Sequence, residues 1–107
     1  MKIPLEVLQD RIHDAIGSDR VLDAEIAQLL QGDTGSPPNF TGSVDACLNL
    51  LFDVLPGWHW HVGHGANGIL PYATVSKDRT IIEADGTTVP LVLLTAMIKA
   101  LLQQGRT

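Results

Sequence analysis

Three histidines fall within one short stretch, His59, His61 and His64 of Trp58-His59-Trp60-His61-Val62-Gly63-His64. Side chains alternate across a strand, so His59 and His61 share a face and His64 follows in the turn. Neutral imidazoles at that spacing suit two or three positions of a zinc site, with Glu83 as an oxygen ligand if its strand lies alongside. A catalytic zinc also needs an open position and outer hydrogen bonds to its imidazoles, and the sequence displays neither. The plainer account is the polar face of an amphipathic strand, so no metal and no cofactor is assigned.

Gly63-His64-Gly65-Ala66-Asn67-Gly68 matches G-x-G-x-x-G after a strand, with Asp85 downstream. The dinucleotide fingerprint requires a helix to start there, because the helix N-terminus holds the pyrophosphate. The next residues are Ile69-Leu70-Pro71-Tyr72, which read as a second strand, so a glycine-rich hairpin loop is the better reading. Its exposed amides are still able to meet an anion. The candidate ligand-binding set is therefore His59, His61, His64, Gly63, Gly65 and Asn67.

Nucleophilic catalysis finds little support. Cys47 is the single cysteine and sits on a periodic apolar face, where a small core residue is expected. No G-x-S-x-G elbow occurs, and Ser18, Ser36, Ser43 and Ser76 fall in caps or loops. Asp10 and Asp14 are one helical turn apart beside Arg11 and His13, the pattern of a solvated helix face rather than an acid and base pair. No catalytic residue is assigned, and the protein is read as a non-enzyme. Trp58 and Trp60 are expected to pack in the core, since the other face of their strand is the polar one.

These residues belong to a chain of 107 residues, 45% of them hydrophobic, which suits one domain with one core. A net charge of −5 repels a phosphate backbone, so direct nucleic-acid binding is disfavoured. One cysteine allows no internal disulfide and fits a reducing cytoplasm. The N-terminus has no apolar signal region, and the apolar stretch from Val89 to Leu102 is shorter than the roughly 18 residues of a membrane span. No membrane partner is expected.

The elements that must position the histidines can be read from periodicity and punctuation. Leu5, Leu8, Ile12 and Ile16 predict a helix from about Pro4 to Ile16, and Leu22, Ile26, Leu29 and Leu30 predict a second one capped by Ser18 or Asp19 and ended by Gly32. Residues 32–42 form a connection rich in glycine, serine and proline. Thr41 or Ser43 caps a third helix with Val44, Cys47, Leu48, Leu51 and Leu55 facing inward, and Pro56-Gly57 stops it. Strands are expected at 58–62, at Ile69–Val75 with an Asn67-Gly68 hairpin signal, and at Thr80–Glu83 before the Asp85-Gly86 turn. Pro71 argues for an edge strand or a bulge.

The last helix runs from about Val89 to Gln104 with Thr87 or Thr88 as cap and Pro90 in its first turn. Its apolar surface is wider than one stripe. It either lies deep against the sheet or lends Leu93, Met97, Ala100 and Leu101 to a contact between protomers of a homo-oligomer.

Four blocks occur in order: Arg20-Val21-Leu22-Asp23-Ala24-Glu25-Ile26-Ala27, Phe40-Thr41-Gly42-Ser43-Val44-Asp45-Ala46-Cys47-Leu48, Pro56-Gly57-Trp58-His59-Trp60-His61-Val62 and Thr88-Val89-Pro90-Leu91-Val92-Leu93-Leu94. Together they resemble the phage ABA sandwich domain family, in which a Leu-Asp-x-x-Ile helix, a Tyr-Thr-x-Ser-x-Asp-Ala helix start, a Gly-Trp strand and a Thr-Pro-x-Leu-Ala-Leu helix succeed one another. This chain departs from that pattern in Phe40, where an aromatic hydroxyl is common, and in Val89, inserted before Pro90. The resemblance implies an α+β fold, a small three-layer α/β/α sandwich with helices on both faces of a mainly antiparallel sheet, and an origin in a phage or prophage. It carries over caps and core positions, and no catalytic residue.

The expected function is an accessory protein acting in the host cytoplasm by non-catalytic binding, inhibiting or sequestering a host defence component. One alternative is a sponge for a small signalling nucleotide held between protomers near the histidines and the glycine loop, provided Lys77, Arg79, Lys99 or Arg106 converge there. Others are a small metal hydrolase built on His59, His61 and His64, and a structural or assembly subunit.

Overall fold

A computed structural model describes residues 4–32, 35–65 and 70–104. The element order is α1 (Leu5–Asp14), α2 (Arg20–Gln31), α3 (Val44–Val54), β1 (His59–His64), β2 (Pro71–Lys77), β3 (Thr80–Asp85) and α4 (Val89–Gln104). The α+β class and this order are those expected from the sequence. The strands form one antiparallel sheet in the order β1-β2-β3.

Caps set most boundaries. Asp19 accepts from the Leu22 amide at 3.1 Å, Ser43 from the Ala46 amide at 3.2 Å and Thr88 from the Leu91 amide at 3.3 Å, each satisfying a donor that the first helical turn leaves open. Gly32 ends α2 in the left-handed region, at φ 67°. Helix α1 stops at Asp14, short of the expected Ile16, which is extended into solvent at 87% exposure.

The layers depart from the α/β/α sandwich, with helices on both faces of the sheet, that the family resemblance implied. Helix α4 packs under β2 and β3 on one side, while α1 and α3 pack on its other side. The three layers are therefore sheet, α4 and outer helices, with the helix rather than the sheet in the middle. The cause is the composition of α4: Leu91 to Ile98 and Ala100 are all buried, so this helix has to be covered all round. Leu93, Met97 and Ala100 have no exposed surface within a single chain, so the breadth of the apolar surface is used internally and not at a protomer contact; Leu101 is partly exposed.

The inner face of the sheet is built from two registered rows, Trp60–Val75–Ile82 and Val62–Ala73–Ala84. Val75 and Ala73 on the central strand are fully buried, but Trp60 keeps 40% of its surface exposed, against the expectation that both tryptophans enter the core. The reason is position: β1 is an edge strand and α4 covers it far less than it covers β2 and β3. Trp58, just before the strand, is buried. Strand β2 runs two residues later than expected and is central, not an edge. Pro71 is tolerated because it is the first residue of the strand.

A buried polar latch joins α2 to the connection after it. The Asp23 carboxylate, fully buried, accepts from the Thr41 amide at 2.8 Å, the Thr41 hydroxyl at 2.7 Å and Arg20 at 2.9 Å. Arg20 also donates to the Pro37 carbonyl at 2.7 Å and Ser18 to Asn39 at 3.1 Å. Thr41, one of two expected caps for α3, is thus committed to this latch and the capping falls to Ser43. Cys47 lies behind it, its thiol 2.9 Å from the Phe40 carbonyl.

Candidate functional site

Among the described residues no helix covers the outer face of the sheet, and registered pairing lays it out as three rows. His59, Ser76 and Ile81 form the first, His61, Thr74 and Glu83 the second, and Gly63, Tyr72 and Asp85 the third. His59, His61, Ile81, Glu83 and Asp85 are exposed, and Tyr72, Thr74 and Ser76 are half-buried by their neighbours. Ile81 is 67% exposed, a large apolar side chain in the first row of an otherwise polar surface.

One pair on this face is ordered. The Tyr72 hydroxyl lies 2.9 Å from His61 Nε2, and the two ring centroids are 5.7 Å apart, tilted by 40°. The Tyr72 ring reaches His61 by lying across Gly63: a Cβ at position 63 would meet the Tyr72 hydroxyl at 3.1 Å and its ring carbons at 3.2 and 3.3 Å. An aromatic ring covering a strand glycine on the neighbouring strand restores packing that the glycine lacks. Gly63, singled out through its glycine-rich motif, thus serves the sheet by making room for Tyr72.

The histidines do not converge. His59 and His61 share the outer face as expected, but His64 belongs to β1 and alternates to the opposite side. Glu83 occupies the same row as His61 with Thr74 between them, which sets their backbones two strand spacings, roughly 9–10 Å, apart. Among the described residues, no group of three or more His, Cys, Asp or Glu side chains is placed to hold a metal.

Gly65 donates its amide to the Leu70 carbonyl at 2.9 Å, which closes the connection between β1 and β2. Asn67 lies outside the described residues, as does the Asn67-Gly68 hairpin signal. The described basic residues Lys77, Arg79 and Lys99 do not converge on this end of the sheet. Lys77 and Arg79 sit at the β2–β3 hairpin, the far end, some six residues or about 20 Å along the strand from His64 and Gly65. Lys99 donates to the Glu83 carbonyl at 3.1 Å, placing a cation against the free edge of β3. A lysine there discourages pairing with another strand; β1 has no such guard among the described residues. Arg106 lies outside the described residues.

The thiol of Cys47 is buried. Burial, with the nearby Asp23 carboxylate adding to it, pushes its pKa up from 9.0 to about 12. No family model matches this chain, and no curated protein or solved structure matches it.

Tyr72, Thr74 and Ile81 were not singled out from the sequence. The signal for them was the alternation of β2 and β3, but its meaning depends on which face α4 covers.

Proposed function

We propose that this protein is a non-catalytic binding module that engages a partner protein through the open face of its sheet, consistent with an accessory role in inhibiting or sequestering a host component. The observation that carries this reading is the helix-free outer face. It combines an ordered His61–Tyr72 pair, exposed acidic groups at Glu83 and Asp85, and the exposed apolar Ile81. Flat surfaces that mix tyrosine, an apolar anchor and a polar surround are typical of protein interfaces. The ordered blocks resembling the phage ABA sandwich family support a phage or prophage origin and a target in the host cytoplasm.

Two features favour a protein over a signalling nucleotide as the partner. Lys77 and Arg79 lie at the opposite end of the sheet from the histidines and Gly65, and Lys99 is engaged at the β3 edge. The exposed ionisable groups of the outer face are histidines and carboxylates, which attract a basic protein surface more readily than a phosphate.

The test is native mass spectrometry of the tagged protein after incubation in bacterial host lysate, comparing wild type with Thr74→Arg at the centre of the face and Asp10→Arg on the solvent side of α1. The expected result is one stoichiometric host protein captured by wild type and Asp10→Arg but lost in Thr74→Arg. Capture that survives Thr74→Arg and Ile81→Lys together overturns the assignment to this face.

A further inference from the structure

Strand β1 pairs with β2 alone, so half of its backbone groups point away from the sheet. Which half follows from the bonds at the strand ends, because antiparallel residues that exchange hydrogen bonds alternate with residues that do not. The Gly65 amide donates to the Leu70 carbonyl in continuation of the register, so His59, His61, Gly63 and Gly65 bond toward β2. The far side of β2 agrees: Gly86 donates to the Pro71 carbonyl at 3.4 Å, which commits Pro71, Ala73 and Val75 to β3 and leaves Tyr72, Thr74 and Ser76 for β1. The N–H and C=O groups of Trp60, Val62 and His64 therefore face the free edge, and none has a hydrogen-bond partner among the described residues.

The two edges of the sheet are unlike. Lys99 stands against β3, whereas β1 carries no Asp, Glu, Lys or Arg in a chain of net charge −5. Beside that uncharged edge Trp60 keeps 40% of its surface exposed, where α4 covers the sheet least. An open edge of this kind is a template for another strand. The strand that fits it is a second β1. Laid antiparallel about a two-fold axis at Val62, the copies set Val62 opposite the partner's Val62, Trp60 opposite the partner's His64, His61 opposite the partner's Gly63 and His59 opposite the partner's Gly65. Every free backbone group of Trp60, Val62 and His64 is then paired, each histidine of the outer face meets a glycine that leaves room for its ring, and Trp60 lies diagonally within reach of the partner's Val62.

Neighbouring registers fit worse. An axis at His61 sets the two His61 rings against each other and His64 against the partner's Trp58, whose amide already donates to the Leu55 carbonyl at 3.2 Å. An axis at Gly63 carries Trp60 past the end of the facing strand. We propose that the protein forms a two-fold dimer by antiparallel pairing of β1 with the β1 of a second copy, centred on Val62, which joins the two sheets into one. Such a contact is isologous and closes at two copies, and Lys99 keeps the remaining β3 edges from extending the assembly. Because α4 packs under β2 and β3, the two α4 helices stay at least three strand spacings, about 14 Å, apart, clear of the roughly 8–10 Å of helix contact. The dimer uses the edge of β1 and stands independently of the partner assigned to the outer face.

Sedimentation equilibrium measures the association and cysteine cross-linking measures the register. Wild type is expected to sediment as a dimer. His64→Pro removes an amide that faces the free edge and leaves the bonds to β2 in place, while Trp60→Lys gives β1 the guard that Lys99 gives β3. Each is expected to raise the dimer Kd at least about tenfold with the circular dichroism spectrum unchanged, and either variant alone suffices if the other fails to fold. In a Cys47→Ala background Val62→Cys is expected to cross-link on oxidation, since directly opposed residues of a hydrogen-bonded pair have Cα atoms about 5.5 Å apart, within disulfide range. His61→Cys and Thr74→Cys are expected to stay uncross-linked. A wild-type protein that is monomeric at every concentration, a dimer that neither folded variant weakens, or cross-linking through position 61 or 74 in place of 62 each overturns the proposal.

Discussion

The buried carboxylate of Asp23 accepts both the amide and the hydroxyl of Thr41, eighteen residues further along the chain. That bond pair anchors the proline-containing connection to α2 and leaves α3 to start from Ser43. Thr41→Val removes the hydroxyl while keeping shape, and is expected to cost about 1–3 kcal/mol, since a buried charged acceptor loses a donor. Asp23→Ala, which strips partners from Arg20 and Thr41 together, should cost more, about 3–5 kcal/mol. Urea unfolding followed by circular dichroism measures both, and equal small losses would show that the latch is peripheral to stability.

The contact of Tyr72 with Gly63 makes a second prediction. Gly63→Ala forces the ring aside by a few tenths of an ångström and is expected to cost about 0.5–1.5 kcal/mol, the range of an off-rotamer side chain. Tyr72→Phe keeps the ring and loses only an exposed hydrogen bond, worth less than about 1 kcal/mol. In Tyr72→Ala the Gly63→Ala cost should largely vanish, and a double-mutant cycle reads that coupling directly. Gly63→Ala and Tyr72→Ala each displace or release His61, so partner capture should weaken more than stability does.

Met97 tests the position of α4. With no exposed surface and neighbours on every side, Met97→Asp buries an unpaired charge and is expected to cost more than about 4 kcal/mol, enough to abolish cooperative folding. Leu93→Ala should cost about 2–5 kcal/mol as a core cavity. A Met97→Asp protein that melts like wild type but has a lower native mass would instead put this helix at a protomer contact.

Cys47 should leave a signature at high pH. Its folded pKa, about 12, lies above the ordinary 9.0, so between those values the unfolded chain releases the thiol proton and the folded chain keeps it. The thiol's stability contribution is fully present below pH 9.0 and is lost as pH rises toward about 12, a loss that Cys47→Ala should remove from the pH profile. In the native protein at pH 8 the thiol should react with iodoacetamide only as fast as the chain opens.

Much of the fold was legible in local sequence. Alternation put His59 and His61 on one face, each of the last three helix starts was narrowed to two neighbouring caps of which Asp19, Ser43 and Thr88 serve, Cys47 read as core, and Val89–Gln104 read as a broad apolar helix, because each depends on neighbours within a few residues. Ile16 and Trp60 misled for the same reason: both fit a local period, but a period says only that a side chain has a face to bury, not that a neighbour arrives to cover it.

The sequence by itself determined the elements, their order and the apolar girth of α4. Only the tertiary structure decided that α4, rather than the sheet, is the middle layer, and the open outer face proposed as the binding surface derives from that. With α4 enclosed, the sheet has cover for one face only, leaving the His61–Tyr72 surface open. Such relationships depend on strand register and on relative element lengths, which are settled by long-range burial and carry no mark in any local stretch of the chain.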